Sequence, residues 1–429
     1  MSKAALLGGE PVRDRFYKHT TKIGEEEKQL VLEVLESEVL SGFAASNDQR
    51  FDGGKMVREV ERLFCEYFGT KYAVSFNSAT SALHAAVAAC GIGPGDEVIT
   101  SPFTMTATPS SILHANGIPV FADIEESTYG LDPGSTAEKI TYRTKGIIAV
   151  NLFGHPARLD ELKSLAAKNE LFLIEDNSQS PGARFKGRHT GTIGNIGIFS
   201  LNYHKIFQCG EGGVAITDSE ELALKMRLIR NHGEVVVEAM KVNDISNTLG
   251  WNYRMTELQA AVAIPQFKKM ESLIKYRVNL AEKLTHVLKK FDFLSTPHIE
   301  DNCDHVYYLY PISFNEEKAG IPRKIFCEAI RAENFPVIEG YIKPIYLEPL
   351  YQRKIAYGKQ GCPFNCHYYN GLAQYGQGMC AVAERMWEKK LIIANFAKYP
   401  YSDKDMELFG AAVERIMNYK QEILNSLNV

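Results

Sequence analysis

The amino-acid sequence predicts an α/β protein. A large domain, residues 1–262 with an N-terminal arm, carries a mostly parallel seven-stranded sheet between helices, and a smaller C-terminal α+β domain spans residues 263–429. Three observations point this way. Seven short apolar runs alternate with helical patterns, the signature of parallel strands joined by helical crossovers. Past residue 262 that alternation gives way to long helical patterns around a single strand run. A chain of 429 residues also exceeds what one simple core accommodates.

Taken in order, residues 23–37 show helical spacing in Leu30, Val31, Val34 and Leu35. Ser41 to Lys55, rich in Gly, Ser, Asn and Asp, reads as a long loop. An amphipathic helix from Met56 to Phe68 stops at Gly69, which can adopt the left-handed conformation of a helix end. The strand runs are Tyr72–Phe76, Glu97–Thr100, Pro119–Asp123, Gly146–Asn151, Phe172–Glu175, Ile196–Leu201 and Gly213–Thr217. Helical patterns separate most of them, at Ala79–Cys90, Thr106–Asn116, Leu159–Asn169 and Ser219–Arg230. The C-terminal part predicts a long helix Gln266–Lys289, a strand Val306–Ile312, a helix Arg323–Asn334 and two further helices near the end. A polar Tyr- and Gly-rich loop, Tyr357–Met379, interrupts it.

Composition narrows the function classes. With 45% hydrophobic and 23% charged residues the chain is of ordinary globular make-up. A net charge of -4 supplies no field for nucleic acid or an anionic membrane, so any phosphate site must be local. The N-terminal stretch holds only the short apolar run Ala4–Leu7, and no segment approaches the length of a membrane span, so a cytoplasmic location is expected. The eight cysteines are scattered without a CxxC pair, and Cys65, Cys90 and Cys327 fall in apolar helical patterns. Reduced, packed thiols are therefore expected rather than disulfides. Cys362 and Cys366, beside His367, are the closest pair, but no second ligand pair follows and no metal site is expected.

In open parallel sheets the ligand lies beyond the carboxyl ends of the strands, so those ends are the places to look for chemistry. After the first strand stands Asn77-Ser78-Ala79-Thr80, opening a helix of small residues. Hydroxyls and free N–H groups at a helix start make an anion site, although Ser and Thr also serve as ordinary caps. After another strand comes Ile174-Glu175-Asp176-Asn177-Ser178-Gln179. A carboxylate at the tip of a buried strand is costly without a cation, such as a protonated pyridine nitrogen, unless Asp176 merely caps the next turn. The third strand end is Phe199–Gly213, FSLNYHKIFQCGEGG, in which Ser200 and Lys205 follow a buried strand and precede a glycine-rich turn. A lysine there is desolvated, which lowers its pKa and frees the amine to attack a carbonyl. Together these are the parts that hold pyridoxal phosphate (PLP): a phosphate site, a partner for the ring nitrogen and an amine for the aldehyde.

On these residues the chain resembles the StrS/DegT-type PLP-dependent sugar aminotransferases of fold-type I, the aspartate aminotransferase-like architecture. The resemblance covers nearly the whole sequence. The family's Ser-Gly-Thr-Ala-Ala-Leu run is matched by Ser78–Leu83, its P-G-D-E-V-I entry by Pro94–Ile99, and its E-D-x-x-Q by Glu175, Asp176 and Gln179. S-x-x-x-x-K is matched by Ser200 and Lys205, E-G-G by Glu211–Gly213, and G-x-N-x-R-M by Gly250, Asn252, Arg254 and Met255.

The resemblance implies a role for each. Lys205 forms the Schiff base and shuttles the proton, while Asp176 keeps the ring nitrogen protonated. Gln179 contacts the ring hydroxyl. Ser78, Thr80 and Ser200 hold the phosphate, with Ala79 in the same cofactor-binding turn. Asn252 reaches the phosphate of the neighbouring subunit, which implies a homodimer with shared active sites. The chain also departs from the pattern: Met105 stands where relatives stack an aromatic residue on the cofactor, and Tyr308 and Tyr346 stand where many carry His. These three positions and the loop near residue 370 are expected to handle the ketone, and Arg254 to receive the donor's carboxylate.

The implied reaction moves an amino group from glutamate or glutamine to a keto-sugar or related polyol ketone. Candidates are a nucleotide-linked ketosugar, a keto-sugar acid of the Kdo type and a keto-cyclitol, in lipopolysaccharide or antibiotic biosynthesis. A branch of the family dehydrates sugars with His at the Schiff-base position. Here Lys205 occupies it, with His204 just before. A non-catalytic PLP-binding regulator is the other alternative, against which the intact Lys205, Asp176 and Gln179 argue.

Overall fold

Strands with apolar residues on both faces need cover on both sides, and the computed structural model, which describes residues 3–14, 17 and 22–427, provides it. Strands β1 (Tyr72–Phe76), β2 (Glu97–Thr100), β3 (Ile118–Phe121), β4 (Thr144–Val150), β5 (Phe172–Asp176), β6 (Ile196–Ser200) and β7 (Gly213–Thr217) form one seven-stranded sheet. Their order is β1-β7-β6-β5-β4-β2-β3. β6, β5, β4, β2 and β3 pair in parallel, and β7 is antiparallel to both of its neighbours. The carboxyl ends of β1, β2, β4, β5 and β6 therefore share one edge with the start of β7.

Side chains alternate between the two faces. Val74, Phe76, Ile148, Ile174, Ile196, Ile198 and Ala215 pack under helices α3 (Ala79–Ala89), α4 (Ala107–His114) and α6 (Glu220–Arg230). On the other face Ala73, Phe199, Val214 and Ile216 meet α2 (Lys55–Phe68) and α7 (Glu257–Lys268), over which α1 (Glu25–Glu36) lies. Ile147, Ala149 and Leu173 meet α5 (Leu159–Lys168). The small side chains of α3 (Ala82, Ala85, Ala86, Ala88 and Ala89 are all buried) let that helix lie close on the sheet. Truncating one of the large side chains between these layers, Phe199 for example, would cost about 3–5 kcal/mol.

Where a glycine is required, it sets the site. Gly69 closes α2 at φ 67° with its N–H on the Cys65 carbonyl. A Cβ on Gly213 would lie 2.5 Å from the Ala79 nitrogen and the Ser78 carbonyl carbon, so only glycine lets β7 begin against the β1–α3 turn.

The C-terminal part has its own antiparallel sheet of β8 (Leu294–Ser295), β9 (Tyr310–Phe314), β10 (Val337–Glu339) and β11 (Leu391–Ala394), ordered β8-β9-β11-β10. It packs against α8 (Met270–Leu288), α9 (Arg323–Ala332) and α10 (Asp403–Asn418), with α11 (Lys420–Ser426) following.

Three expectations are corrected. The long helix Gln266–Lys289 is the end of α7 and all of α8, joined at Lys269. The strand expected at Val306–Ile312 begins only at Tyr310. Before it, Tyr307 takes φ 48°, and Val306 and Leu309 donate to the carbonyls of Gly154 and Phe153 instead of joining the ladder. Cys362 and Cys366, expected as reduced thiols, form a disulfide, because a turn brings their Cα atoms to 5.3 Å. Cys65, Cys90, Cys209, Cys303, Cys327 and Cys380 are free. Among the described residues no three His, Cys, Asp or Glu side chains are grouped to hold a metal ion. No helix among them is long and apolar enough to cross a membrane.

Candidate active site

The two carboxylates that end β5 point to opposite faces, as the strand period requires. Glu175 turns back and is fully buried. Its oxygens accept from the backbone N–H groups of Gly191, Ile193 and Gly194, each at 2.7 Å, and from Asn151 at 3.3 Å. Burial raises its pKa against these donors. Asp176 turns to the crevice, 5% exposed. One of its oxygens accepts from the Thr108 hydroxyl at 2.7 Å, and the other from the Ser178 N–H at 3.2 Å. Thr108 lies on α4 and touches the Thr104 hydroxyl at 3.2 Å, so α4 fixes the carboxylate.

One strand over, Ser200 ends β6 buried, its Oγ accepting from the Asn202 N–H at 3.4 Å. The chain then loops out and returns: Cys209 donates to the Leu201 carbonyl, Leu201 to that of Gly212, and Lys205 to that of Asn202, all at 2.9 Å. Buried Ile206 and Phe207 anchor the loop from below. Lys205 is half-buried and aims its amine at Tyr308, with Nζ 4.7 Å from the ring centroid. Desolvation lowers its pKa to about 8, against Asp176, which raises it. It makes no ion pair among the described residues. His204 lies at the rim, its ring 6.3 Å from that of Tyr308. Desolvation of its imidazole, with Lys205 and Lys398 nearby, lowers it to about 4.

At the end of β1, Ser78 caps α3, its Oγ accepting from the Ser81 N–H at 3.1 Å. The first N–H groups of a helix, here those of Ala79 and Thr80, have no partners inside it and face outward with the positive end of the dipole. Gln179 is held on both sides: its Oε1 accepts from the Phe153 N–H and its Nε2 donates to the Tyr341 hydroxyl, both at 3.0 Å. Ser78, Ala79, Thr80, Asp176, Gln179, Ser200 and Lys205 thus converge on one sheet edge, with Tyr308 over the lysine.

The other expected residues are placed differently. Met105, after β2, is 59% exposed. Asn252 is exposed too, tied to this edge through its neighbour Tyr253, whose carbonyl accepts from the Asn77 N–H at 2.8 Å. Arg254 gives its Nε to Asn231 Oδ1 at 2.8 Å, and burial next to Arg230 lowers its pKa. Tyr346 is fully buried away from the crevice: its hydroxyl donates to Glu384 and accepts from the Cys380 N–H, which leaves nothing for a substrate. The loop near residue 370 is likewise drawn away, since the Tyr369 hydroxyl bonds Glu97 at the start of β2, the opposite edge of the sheet.

Sequence reasoning missed Thr108 and Tyr341. The run Thr104, Thr106, Thr108 held a signal for the first, since positions four apart share a helix face. Nothing local marked Tyr341, which comes from the C-terminal part to meet Gln179 and pack its ring against Phe103 and Phe153.

Comparison with known proteins shows the family. The model of the DegT/DnrJ/EryC1/StrS aminotransferase family matches residues 22–376. The spore coat polysaccharide biosynthesis protein SpsC of Bacillus subtilis is 35% identical over 356 residues, 81% of this chain and 88% of that one. The L-glutamine:2-deoxy-scyllo-inosose aminotransferase of Streptoalloteichus tenebrarius is 30% identical over 431 residues, 98% of each chain. The crystal structure of an aminotransferase from Psychrobacter cryohalolentis superposes with a TM-score of 0.79 at 28% identity, covering 94% of this chain and 99% of that one.

Proposed function

Since the chain belongs to the DegT/DnrJ/EryC1/StrS aminotransferase family, a family of PLP-dependent transaminases, we propose that it transfers an amino group from glutamate or glutamine to a keto-sugar or keto-cyclitol. The observation that carries the reading is Lys205: an amine brought down to about 8 by desolvation, without a direct ion pair among the described residues, on the same edge as a buried aspartate and a helix start with free N–H groups.

These residues fit pyridoxal phosphate. The α3 start with Ser78, Ala79 and Thr80, together with Ser200, suits its phosphate. Asp176, oriented by Thr108, suits the ring nitrogen, and Gln179, oriented by Tyr341, the ring hydroxyl. When bound, the cofactor supplies the electron sink that lets an amino acid lose its Cα proton. Lys205 then acts as the base that takes this proton and returns it, a task for which a pKa near working pH is best. Tyr308 packs its ring on the amine and contributes to its desolvation.

The keto-sugar or keto-cyclitol acceptor is supported by the inosose aminotransferase, which matches over almost its entire length, and by the polysaccharide relative. A homodimer with shared sites is supported by the exposure of Asn252 and of its chain neighbours Leu249 and Trp251, apolar side chains that a second copy would cover. A cytoplasmic location completes the proposal.

The test is isotopic. The PLP-loaded enzyme is incubated with 15N-labelled L-glutamate or L-glutamine and a panel of keto-sugars and keto-cyclitols, and products are weighed by mass spectrometry. A labelled amino product from one of them is expected. Loss of water from the ketone without label transfer would overturn the reading in favour of a dehydratase.

A further inference from the structure

Two more cations are buried next to this site, and neither has a carboxylate for a partner among the described residues. Arg277, on α8, is 5% exposed, and Lys398, just after β11, is 7% exposed. Arg277 donates through one nitrogen to the carbonyls of Tyr307 at 3.3 Å and Tyr308 at 3.1 Å. The Lys398 ammonium, which has three protons to give, donates to Asn395 Oδ1 at 2.7 Å. Burial and the proximity of Arg277 lower Lys398 to about 7, and burial lowers Arg277 to about 10. Two like charges held side by side out of water are costly, and the cost is removed when an anion joins them.

Their location says which anion. Tyr308, whose carbonyl Arg277 holds, carries the ring on which the Lys205 amine rests, and His204, next to Lys205, is close enough to Lys398 to feel its charge. The pair is therefore one side chain away from the reacting amine. A cavity of about 20 Å³, room for about one water molecule, is lined by Arg277 together with Lys22, Ile206, Gln266, Leu273 and Tyr399, but not by Lys398. An amino-acid donor always carries a carboxylate two bonds from its reacting nitrogen.

We propose that Arg277 and Lys398 form the subsite that receives the α-carboxylate of the amino donor. The proposal rests on the aminotransferase reading above, and it moves the donor contact from Arg254, whose Nε donates to Asn231, to the two buried cations next to Tyr308.

The experiment uses the PLP-loaded enzyme and two readouts. One is the concentration of L-glutamate or L-glutamine that half-saturates the change in the cofactor's absorption. The other is the dissociation constant of α-methyl-L-glutamate, which has no Cα proton to lose, measured by calorimetry. In Lys398→Met and Lys398→Gln both values should rise about 10- to 100-fold, the loss of a charge-assisted bond, with the limiting rate changed far less. Lys398→Arg should stay within a few-fold of the wild type. The variants lose an uncompensated buried charge, so their melting temperatures should hold or rise. Values within twofold of the wild type in both charge-removing variants would overturn the subsite. If the wild type itself responds to neither amino acid, the aminotransferase reading fails first and the subsite falls with it.

Discussion

The two sides of β5 treat buried charge in opposite ways. Behind the strand, Glu175 is enclosed but has four donors from Gly191, Ile193, Gly194 and Asn151, and elsewhere, beside Ser75 of β1, the fully buried Arg230 is paired with Glu61 at 2.6 Å. At the carboxyl edge, Arg277 and Lys398 are buried and Lys205 half-buried, and none of the three forms an ion pair among the described residues, although Asp176 acts on Lys205 at longer range. A buried charge that serves the fold is neutralised on the spot, because an unpaired one is destabilising. A buried charge left unpaired is held ready for a partner that comes and goes.

The largest effect that sharpens this contrast is Lys205→Ala. Turnover should fall about 10³- to 10⁴-fold while the melting temperature stays at or above that of the wild type, since a base is removed but no structural bond is lost. Glu175→Ala should do the reverse. It strands three buried N–H donors, and chemical denaturation should show a loss of about 3 kcal/mol. Thr108→Val removes one donor from Asp176 and should lower turnover about tenfold with little loss of stability, read from steady-state rates and a melt. Smallest is Tyr346→Phe, which deletes a hydroxyl bonded within the C-terminal part: stability should drop by about 1 kcal/mol, with the half-saturating concentration of either donor unchanged. A shifted half-saturation would return Tyr346 to the site.

The contrast also has a pH signature. Lys205 at about 8 and Lys398 at about 7 lie below the lysine value of the unfolded chain, so between those values and about 10.4 the unfolded state binds more protons than the folded one. Stability of the cofactor-free protein should therefore rise with pH across that window. The burial penalty is fully present at lower pH. Lys205→Met should accordingly gain most over the wild type below pH 8 and progressively less toward pH 10. A gain independent of pH would mean that the amine is not held in the desolvated state described.

Much of this was legible in the sequence because it is local. The seven strands announced themselves by apolar runs, and Ser78, Asp176, Ser200 and Lys205 stand at strand ends, where topology alone brings them together. What was not legible depends on segments far apart. Thr108 and Tyr341 act on Asp176 and Gln179 from other elements, and the Arg277 and Lys398 pair joins positions 121 residues apart. Val306–Leu309 has a strand's composition, yet it docks on the Phe153–Gly154 turn. The break between α7 and α8 is a single residue, Lys269, inside an unbroken apolar pattern, which periodicity cannot detect. Tyr346 was assigned to the ketone because it stands where relatives carry His, and only packing shows its hydroxyl already occupied by Glu384.

The most direct test of the central claim, that the unpaired amine at the carboxyl edge is the one that reacts, is the absorption spectrum. Wild-type protein mixed with PLP should develop a visible band that L-glutamate or L-glutamine abolishes, and Lys205→Ala should lack the wild-type band. A band that forms unchanged in Lys205→Ala would contradict the account.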